Sequence, residues 1–474
     1  MNPPTANSVE GKLSLARIST YVAGAIIAFH LAYCFHAVCF LMAVYLWCLS
    51  QLTRLSTSRQ AFYTGLLVGM LAYGPQMNFL WTIFGPAAIA LWAVLSFWLG
   101  MFLVLGRACR IELSRIYAAL LIPFLWTGLE YFRSELYYLR FSWFNAGYAF
   151  SDNLAWLPLG QIGVYGIGFG LMAVISLCSL LPRKRQFILL TTLVAGLGVL
   201  ANALLPTIPS KTESSARVQV AGVQLEFPPD AQVIYCLNKL VKKYPEAQLL
   251  VLSEYTFNGP VPESIMAWCK KSGRYLVVGA KDTVSGSDYY DSAFVIGPSG
   301  EIVFRQAKSV PIQFFKDGLP ANEQKIWESP WGKIGFCICY DLSYSRVTDR
   351  LVRLGAQAII VPTMDIVEWG RHQHELHARV APIRAAEYGV PIFRLASSGI
   401  SQYVDSTGQV QATAPMPGDE ATLSGTLRLA RPGTLPWDRI VAPLSAGITG
   451  LTMAWLLCIS LWRKRRSTIT SNPP

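Results

Sequence analysis

A chain of 474 residues in which 53% are hydrophobic and only 14% charged is too apolar for an ordinary pair of soluble domains. It is long enough for a membrane part plus a complete second domain. The net charge of +12 sits largely in short basic clusters beside apolar runs, so it reads as topogenic charge and not as a nucleic-acid footprint.

Residues 1–15 are a polar tail, with Lys12 and Arg17 ahead of the first apolar run. No small-residue cleavage site precedes the next hydrophobic stretch, so a retained anchor is expected instead of a signal peptide. Apolar runs follow at Tyr21–His36, Ala37–Leu52, Ala61–Phe84, Ala87–Gly106, Ile116–Phe132, Leu157–Leu181 and Phe187–Leu205, with a last one at Ile440–Trp462. Most approach the ~20 residues a helix needs to cross hydrocarbon. The first two are short and contiguous, and one bent helix in their place would invert everything after them. Loop charge tests the count. Arg54 and Arg59, then Arg107, Arg110 and Arg115, then Arg183, Lys184 and Arg185, and finally Arg463, Lys464, Arg465 and Arg466 follow alternate runs. With eight spans every basic cluster shares one side, cytoplasmic by the positive-inside rule. Both termini are then inside, and the segment from about Pro206 to Pro436 is outside.

Two membrane stretches carry more than hydropathy. WTGLEYFRSELYYLRFSWFNAGYAFSD, Trp126–Asp152, puts Glu130, Arg133 and Glu135 near a span end, followed by an aromatic loop with Trp143 and Tyr148. An interfacial aromatic belt with snorkelling charges is the bland reading. The loop runs into LGQIGVYGIGFG, Leu159–Gly170, whose small residues permit close helix packing.

Beyond the seventh run the pattern changes to alternating strands and amphipathic helices, which implies packed layers. A first strand begins near Arg217, a helix covers Ala231–Lys243, and strands are expected at Leu249–Leu252, Tyr275–Gly279, Ser292–Ile296 and Ala358–Pro362. AQLLVLSEYTF delivers one carboxylate, Glu254, at a strand end. GPSGEIVFRQAKSVP is a turn and a short strand followed by Lys308. WGKIGFCICYDLSY is an apolar strand that breaks at Cys339-Tyr340-Asp341. Cys337 and Cys339 share a strand face by spacing. The strand-to-turn junction favours Cys339, which the strand aims outward, with the Tyr340 N–H placed to help bind an oxyanion. A free cysteine is more often a small buried hydrophobe; an acid, an ammonium and a thiol each at a strand end are much less expected by chance.

The stretch Arg371–Glu387 is helical, with Pro382 expected to kink or restart it. Of His372, His374 and His377 only the last two have ligand spacing, and no acid or thiol cluster completes a set, so no metal is expected. Cys236 and Cys269 leave a bridge in an oxidising space open.

The blocks LSEYTF, YYDSAFVIGPSGEIVFRQAKSVP and FCICYDLSY resemble those of the nitrilase superfamily of carbon-nitrogen hydrolases. Carried over, Glu254 is the general base, Lys308 the electrostatic stabiliser and Cys339 the nucleophile, with Tyr340 and Asp341 in support. With FYTGLLVGMLAYG, FSWFNAGYAFSDN and the insertion point before the last run, nearly the whole chain resembles one branch, the apolipoprotein N-acyltransferases. The resemblance implies a polytopic α-helical membrane domain of eight spans plus an α/β nitrilase-like α-β-β-α sandwich. Its expected bounds are a tail at 1–15, seven helices in 16–206, an extracytoplasmic catalytic domain at 207–436, an eighth helix at 437–462 and a basic tail at 463–474. It also implies a phospholipid acyl donor, a diacylglyceryl-apolipoprotein acceptor, Trp369, Trp143 and Tyr148 against substrate, no cofactor, and a monomer in a bacterial inner membrane.

The chain departs from that pattern. The resembled enzymes carry a second glutamate soon after the lysine; here SVPIQFFKDGLPANEQ follows, and Asp317 and Glu323 are the acids in reach, neither assigned. Asp341 stands where Glu is usual, Ser253 where Pro is usual, and Thr363-Met364-Asp365 replaces an Asn-containing turn. A membrane-anchored amidase and a non-catalytic lipid-binding protein remain as alternatives, separable by whether amides are cleaved without lipid and whether an acyl group is held on Cys339.

Overall fold

A computed structural model describes residues 13–154, 157–182, 184–186, 188, 192 and 216–471. They fall into two compact units, one within Met1–Phe150, Tyr165–Leu204 and Asp438–Pro474, the other within Ser151–Val164 and Leu205–Trp437.

The first unit is helical. Helix α1, Leu15–Cys34, starts where the Ser14 side chain accepts from the Arg17 N–H. The extended backbone of Phe35 breaks it, and a 3-10 turn, His36–Leu41, leads into α2, Met42–Leu52. Tyr21 meets Trp47 edge-on at 5.4 Å and Phe29 meets Tyr45 at 5.1 Å, so the first two apolar runs are a helix pair folded back on itself and not one bent helix.

The expected run Ala61–Phe84 divides differently. Helix α3, Ser58–Gln76, contains Pro75 and ends beside it, while α4, Phe79–Phe84, runs through a turn at Gly85–Ala87 into α5, Ala88–Glu112. A Cβ on Gly65 would lie 2.6 Å from Gly100 Cα, and one on Gly69 2.6 Å from Ser96 Cβ, so these small residues let α3 and α5 touch backbone to backbone. Helix α6, Arg115–Tyr131, passes through a single π turn at Phe132–Leu136, and α7, Leu159–Cys178, is kinked at Gly163, whose φ is 70°. A last helix, Asp438–Ser471, packs on α6, where Gly128 leaves room for Ser445 and Thr449.

Among the described residues four helices are long and apolar enough to cross a membrane: Leu15–Cys34, Phe79–Glu112, Leu159–Cys178 and Asp438–Arg463. The expected run Phe187–Leu205 lies outside the described residues, Ile188 and Thr192 apart.

The second unit is two six-stranded sheets face to face. In chain order the strands are β1 Arg217–Val223, β2 Leu249–Val251, β3 Tyr275–Ser285, β4 Asp288–Ile296, β5 Ile302–Ala307, β6 Ile326–Ser329, β7 Gly332–Phe336, β8 Ala358–Thr363, β9 Ile392–Ala396, β10 Ser401–Val404, β11 Val410–Ala414 and β12 Thr422–Arg428. One sheet has the order β12-β1-β2-β3-β4-β5 and the other β11-β10-β9-β8-β7-β6. In each, parallel neighbours sit in the middle and antiparallel ones at the edges, β1-β2-β3 in the first and β7-β8-β9 in the second. Gly222 allows the sheets to approach, since a Cβ there would lie 2.7 Å from Leu395.

Helices α8, Asp230–Lys243, and α9, Glu263–Ser272, bury Val233, Leu237, Leu240, Ile265 and Trp268 on the outer face of the first sheet. Helices α10, Ser345–Arg353, α11, Arg371–Ala378, and α12, Val380–Tyr388, belong to the second sheet's side, which completes an α-β-β-α sandwich. The helix expected over Arg371–Glu387 is interrupted at Arg379, ahead of Pro382, whose missing N–H ends the ladder there.

Candidate active site

The parallel centres of both sheets end on one cluster. Strand β2 stops at Val251, and the chain crosses over β3 where Gly279 has no side chain: a Cβ there would sit 2.6 Å from Glu254 Cα and from Ser253 O. Ser253, whose hydroxyl donates to Leu225 O at 2.9 Å, and the left-handed Tyr255, φ 50°, fix the turn that presents Glu254. Lys308 follows the last residue of β5, and its N–H donates to Asp291 O on β4 at 2.8 Å.

Strand β7 ends at Phe336, short of either thiol, so Cys337 and Cys339 are not on a common strand face. Cys337 is fully buried. Cys339 opens a 3-10 turn, Cys339–Ser343, with φ 49°, a left-handed conformation that costs a non-glycine residue roughly 1–2 kcal/mol.

The three side chains expected to act together do meet. Lys308 Nζ is 2.6 Å from Glu254 Oε1, and Glu254 Oε2 accepts the Met364 N–H at 2.6 Å. The Cys339 thiol points to the Met364 carbonyl, with Sγ 3.7 Å from its oxygen. One peptide residue thus contacts both acid and thiol. All three are buried, Cys339 being 2% exposed, which corrects the expectation that the strand aims it outward.

Burial alone would raise Glu254, yet Lys308 and the hydrogen bonds around it hold the carboxyl below the ordinary range. Burial would lower Lys308, but Asp317 and Glu254 hold the ammonium well above its usual value. Burial, then Glu254, push the Cys339 thiol well up, against the pull of Lys308. The resting pair is therefore a carboxylate and a thiol, and the sulfur ionises only as the proton moves.

Asp341, fully buried, accepts from the N–H groups of Ser309 at 3.0 Å, Val310 at 2.8 Å and Ile338 at 3.3 Å. It ties the segment after Lys308 to the segment before Cys339. Burial pushes its carboxyl up to about 6, against those donors. Tyr340 is buried with its ring edge-on to Tyr344 at 5.0 Å. Trp369 lies in the short turn Val367–Trp369, its ring 6.4 Å from Phe315. Trp143 and Tyr148 belong to the helical unit, where both are buried and Trp143 packs on Phe141 at 5.2 Å.

Of the two acids left open after Lys308, Asp317 is the one at the ammonium, 2.7 Å away, while Glu323 is exposed and pairs with Lys325. Asp317 also accepts the Tyr255 hydroxyl at 3.0 Å and the Ile312 N–H at 2.6 Å. Sequence reasoning missed Asp291, 3.5 Å from Lys308 Nζ, although it stands in the quoted block YYDSAFVI. The carboxylates of Glu254, Asp291 and Asp317 converge tightly enough to hold a cation, and the Lys308 ammonium already fills that role.

It also missed a network behind Met364. The next residue, Asp365, is fully buried and accepts from Arg394 Nη2 at 2.5 Å and pairs with His377 Nδ1 at 2.8 Å. Burial would raise it, but His377 and Arg394 hold it well below the carboxylate range. His377 is thus committed to an acid, and His374 bonds the Ile366 carbonyl at 3.0 Å. Cys236 and Cys269 are buried free thiols, so the bridge left open does not form.

A carbon-nitrogen hydrolase family model matches residues 207–435, and an apolipoprotein N-acyltransferase N-terminal domain model matches 23–178. The apolipoprotein N-acyltransferase of Ralstonia nicotianae is 26% identical over 431 residues, covering 80% of this chain and 77% of that protein. That of Geobacter metallireducens is 25% identical over 433 residues, covering 78% and 82%. Among solved structures, a branch 10 nitrilase-superfamily member from Saccharomyces cerevisiae aligns at 22% identity over 45% of this chain and 91% of its own, with a TM-score of 0.39. Both domain models match in chain order and relatives described as apolipoprotein N-acyltransferases align across most of its length, so the chain is similar to that family over nearly its whole sequence.

Proposed function

We propose that this chain moves a fatty acyl group from a glycerophospholipid, through a thioester on Cys339, to the α-amino group of a diacylglyceryl-cysteine on an apolipoprotein. The observation that carries this reading is the buried contact of Lys308 Nζ with Glu254 at 2.6 Å, beside a thiol that shares Met364 with the same carboxylate.

Glu254 takes the Cys339 proton as sulfur attacks the ester carbonyl, forming the C–S bond and an oxyanion. Lys308, with the Tyr340 N–H, stabilises that oxyanion. When the C–O bond breaks, Glu254 returns the proton to the leaving alkoxide and a lysophospholipid departs. The acceptor amine then attacks the thioester and loses its proton to Glu254, and the sulfur regains it. Asp317 holds the far side of Lys308, and Asp341 joins the Lys308 and Cys339 segments. Trp369 lines the approach for the acyl chain.

Eight spans, both termini cytoplasmic and the catalytic unit outside belong to the same proposal. Four apolar helices and the alternation of basic clusters support it. An enzyme drawing acyl chains from lipid works at the bilayer face; a soluble amidase needs no such anchor.

Incubation of the purified protein with phospholipid is expected to leave an acyl mass adduct on Cys339. Cys339→Ala, Glu254→Gln and Lys308→Ala are each expected to abolish it, and expression of the wild type to rescue cells depleted of their own N-acyltransferase. An adduct that persists in Cys339→Ala, or release of ammonia from amides with no adduct at all, overturns the proposal.

A further inference from the structure

Three carboxyls and one ammonium share the buried cluster, and their hydrogen bonds are unequal. Lys308 Nζ has three N–H donors. It lies 2.6 Å from Glu254 and 2.7 Å from Asp317, which take two of them, and 3.5 Å from Asp291. Glu254 has a second donor in the Met364 N–H; Asp317 has two more in the Ile312 N–H and the Tyr255 hydroxyl. Those are the surroundings of ionised groups. Asp291 is fully buried and, among the described residues, no donor hydrogen-bonds either of its oxygens, the Lys308 ammonium standing off at 3.5 Å. Lys281, its register partner on β3, turns its ammonium over the Tyr289 ring at 4.5 Å and stands 5.8 Å from the Tyr255 ring. An ionised carboxylate buried with no hydrogen-bond donor and one shared ammonium 3.5 Å away is costly to hold, whereas a carboxylic acid needs only an acceptor, and the Glu254 carboxylate is its neighbour in the cluster.

We propose that Asp291 is a positioning acid for the acyl-transfer reaction, kept protonated and hydrogen-bonded to Glu254, so that the third N–H of Lys308 stays available for the substrate oxyanion. The role rests on the acyltransfer reading above. Burial first, then the Glu254 charge, push the Asp291 carboxyl well above its ordinary value. The groups that face it are Glu254 and Tyr255 after β2, Lys308 after β5, Asp317 from the following loop and Lys281 on β3. An ionised Asp291 would claim the third Lys308 donor. It would also add a negative charge where the attacking sulfur and the oxyanion carry theirs. Acylation therefore falls as pH rises through its ionisation.

Two readouts test this on the full-length protein in phospholipid micelles. Infrared difference spectra at neutral pH are expected to contain the carbonyl stretch of a protonated carboxylic acid that Asp291→Asn removes; absence of that band in wild type overturns the proposal. For acyl-thioester formation, Asp291→Ala is expected to lose about 10²-fold, and Asp291→Asn, which keeps a neutral donor toward Glu254, to recover most of the loss and to lack the alkaline fall. An Asn variant that folds but is no more active than the Ala variant overturns it. If the band behaves as expected while wild type forms no thioester, the acyltransfer reading fails and the protonation of Asp291 stands.

Discussion

In the proposed reaction the first step turns on the state of one thiol. Cys339 sits in a left-handed turn, buried, beside a carboxylate that opposes its ionisation and an ammonium that favours it. Because the carboxylate and burial prevail, its pKa is raised, so the thiolate fraction at neutral pH lies below that of free cysteine. Iodoacetamide is therefore expected to modify Cys339 slowly at pH ~7 and to keep accelerating as pH rises beyond the free-thiol range, where a free cysteine has already levelled off. Glu254→Gln removes the opposing charge and is expected to speed alkylation at a given pH while abolishing acyl transfer. Peptide mass spectrometry of the modified protein checks both. A pH-independent rate equal to free cysteine, or slower alkylation in the Gln variant, contradicts the account. Of this the sequence displayed the residue types and their strand-end positions. It did not display the sign of the shift, which depends on how close Glu254 and Lys308 come.

At the scale of elements, the site depends on close crossings that only small residues permit. Gly279 on β3 is the clearest, since any Cβ there would press on the Glu254 backbone at 2.6 Å. Gly279→Ala is expected to lower acyl-thioester formation by about 10²-fold, the cost of displacing an acid by about 1 Å, with a smaller effect on the thermal midpoint. Wild-type activity with a normal midpoint would show that the crossing has slack. The strands themselves were legible: β1, β2, β4 and β8 begin or end within a few residues of the runs read from alternation and apolar length. Less legible were the breaks. Strand β7 stops before Cys337, because the backbone turns left-handed only two residues later, at Cys339. The apolar stretch at Ala61–Phe84 divides at Pro75, since a run of hydropathy carries no mark of a missing N–H except the proline itself.

For the molecule as a whole, the proposed orientation makes a direct prediction. With the exposed native thiols Cys34 and Cys458 replaced, a cysteine at Ser287, exposed in the turn between β3 and β4, is expected to react with a membrane-impermeant maleimide in unbroken spheroplasts of a Gram-negative host. One at Ser56, beside the first basic cluster, is expected to need permeabilisation. The opposite pattern reverses the topology and removes the catalytic unit from the outer leaflet. The sequence by itself determined the division into an apolar helical part and an alternating α/β part, and it singled out Glu254, Lys308 and Cys339 as candidates by residue type and by their place after apolar strands. Hydrophobic period and residue chemistry are local properties. Only the tertiary structure decided that Asp317 and not Glu323 meets Lys308, that Asp291 joins them, and that Asp365, His377 and Arg394 stand behind Met364. Those contacts join β4, β5, β9 and the segment after β8, far apart along the chain. Burial and pairing, which set each group's charge, exist only once both sheets have closed on one another.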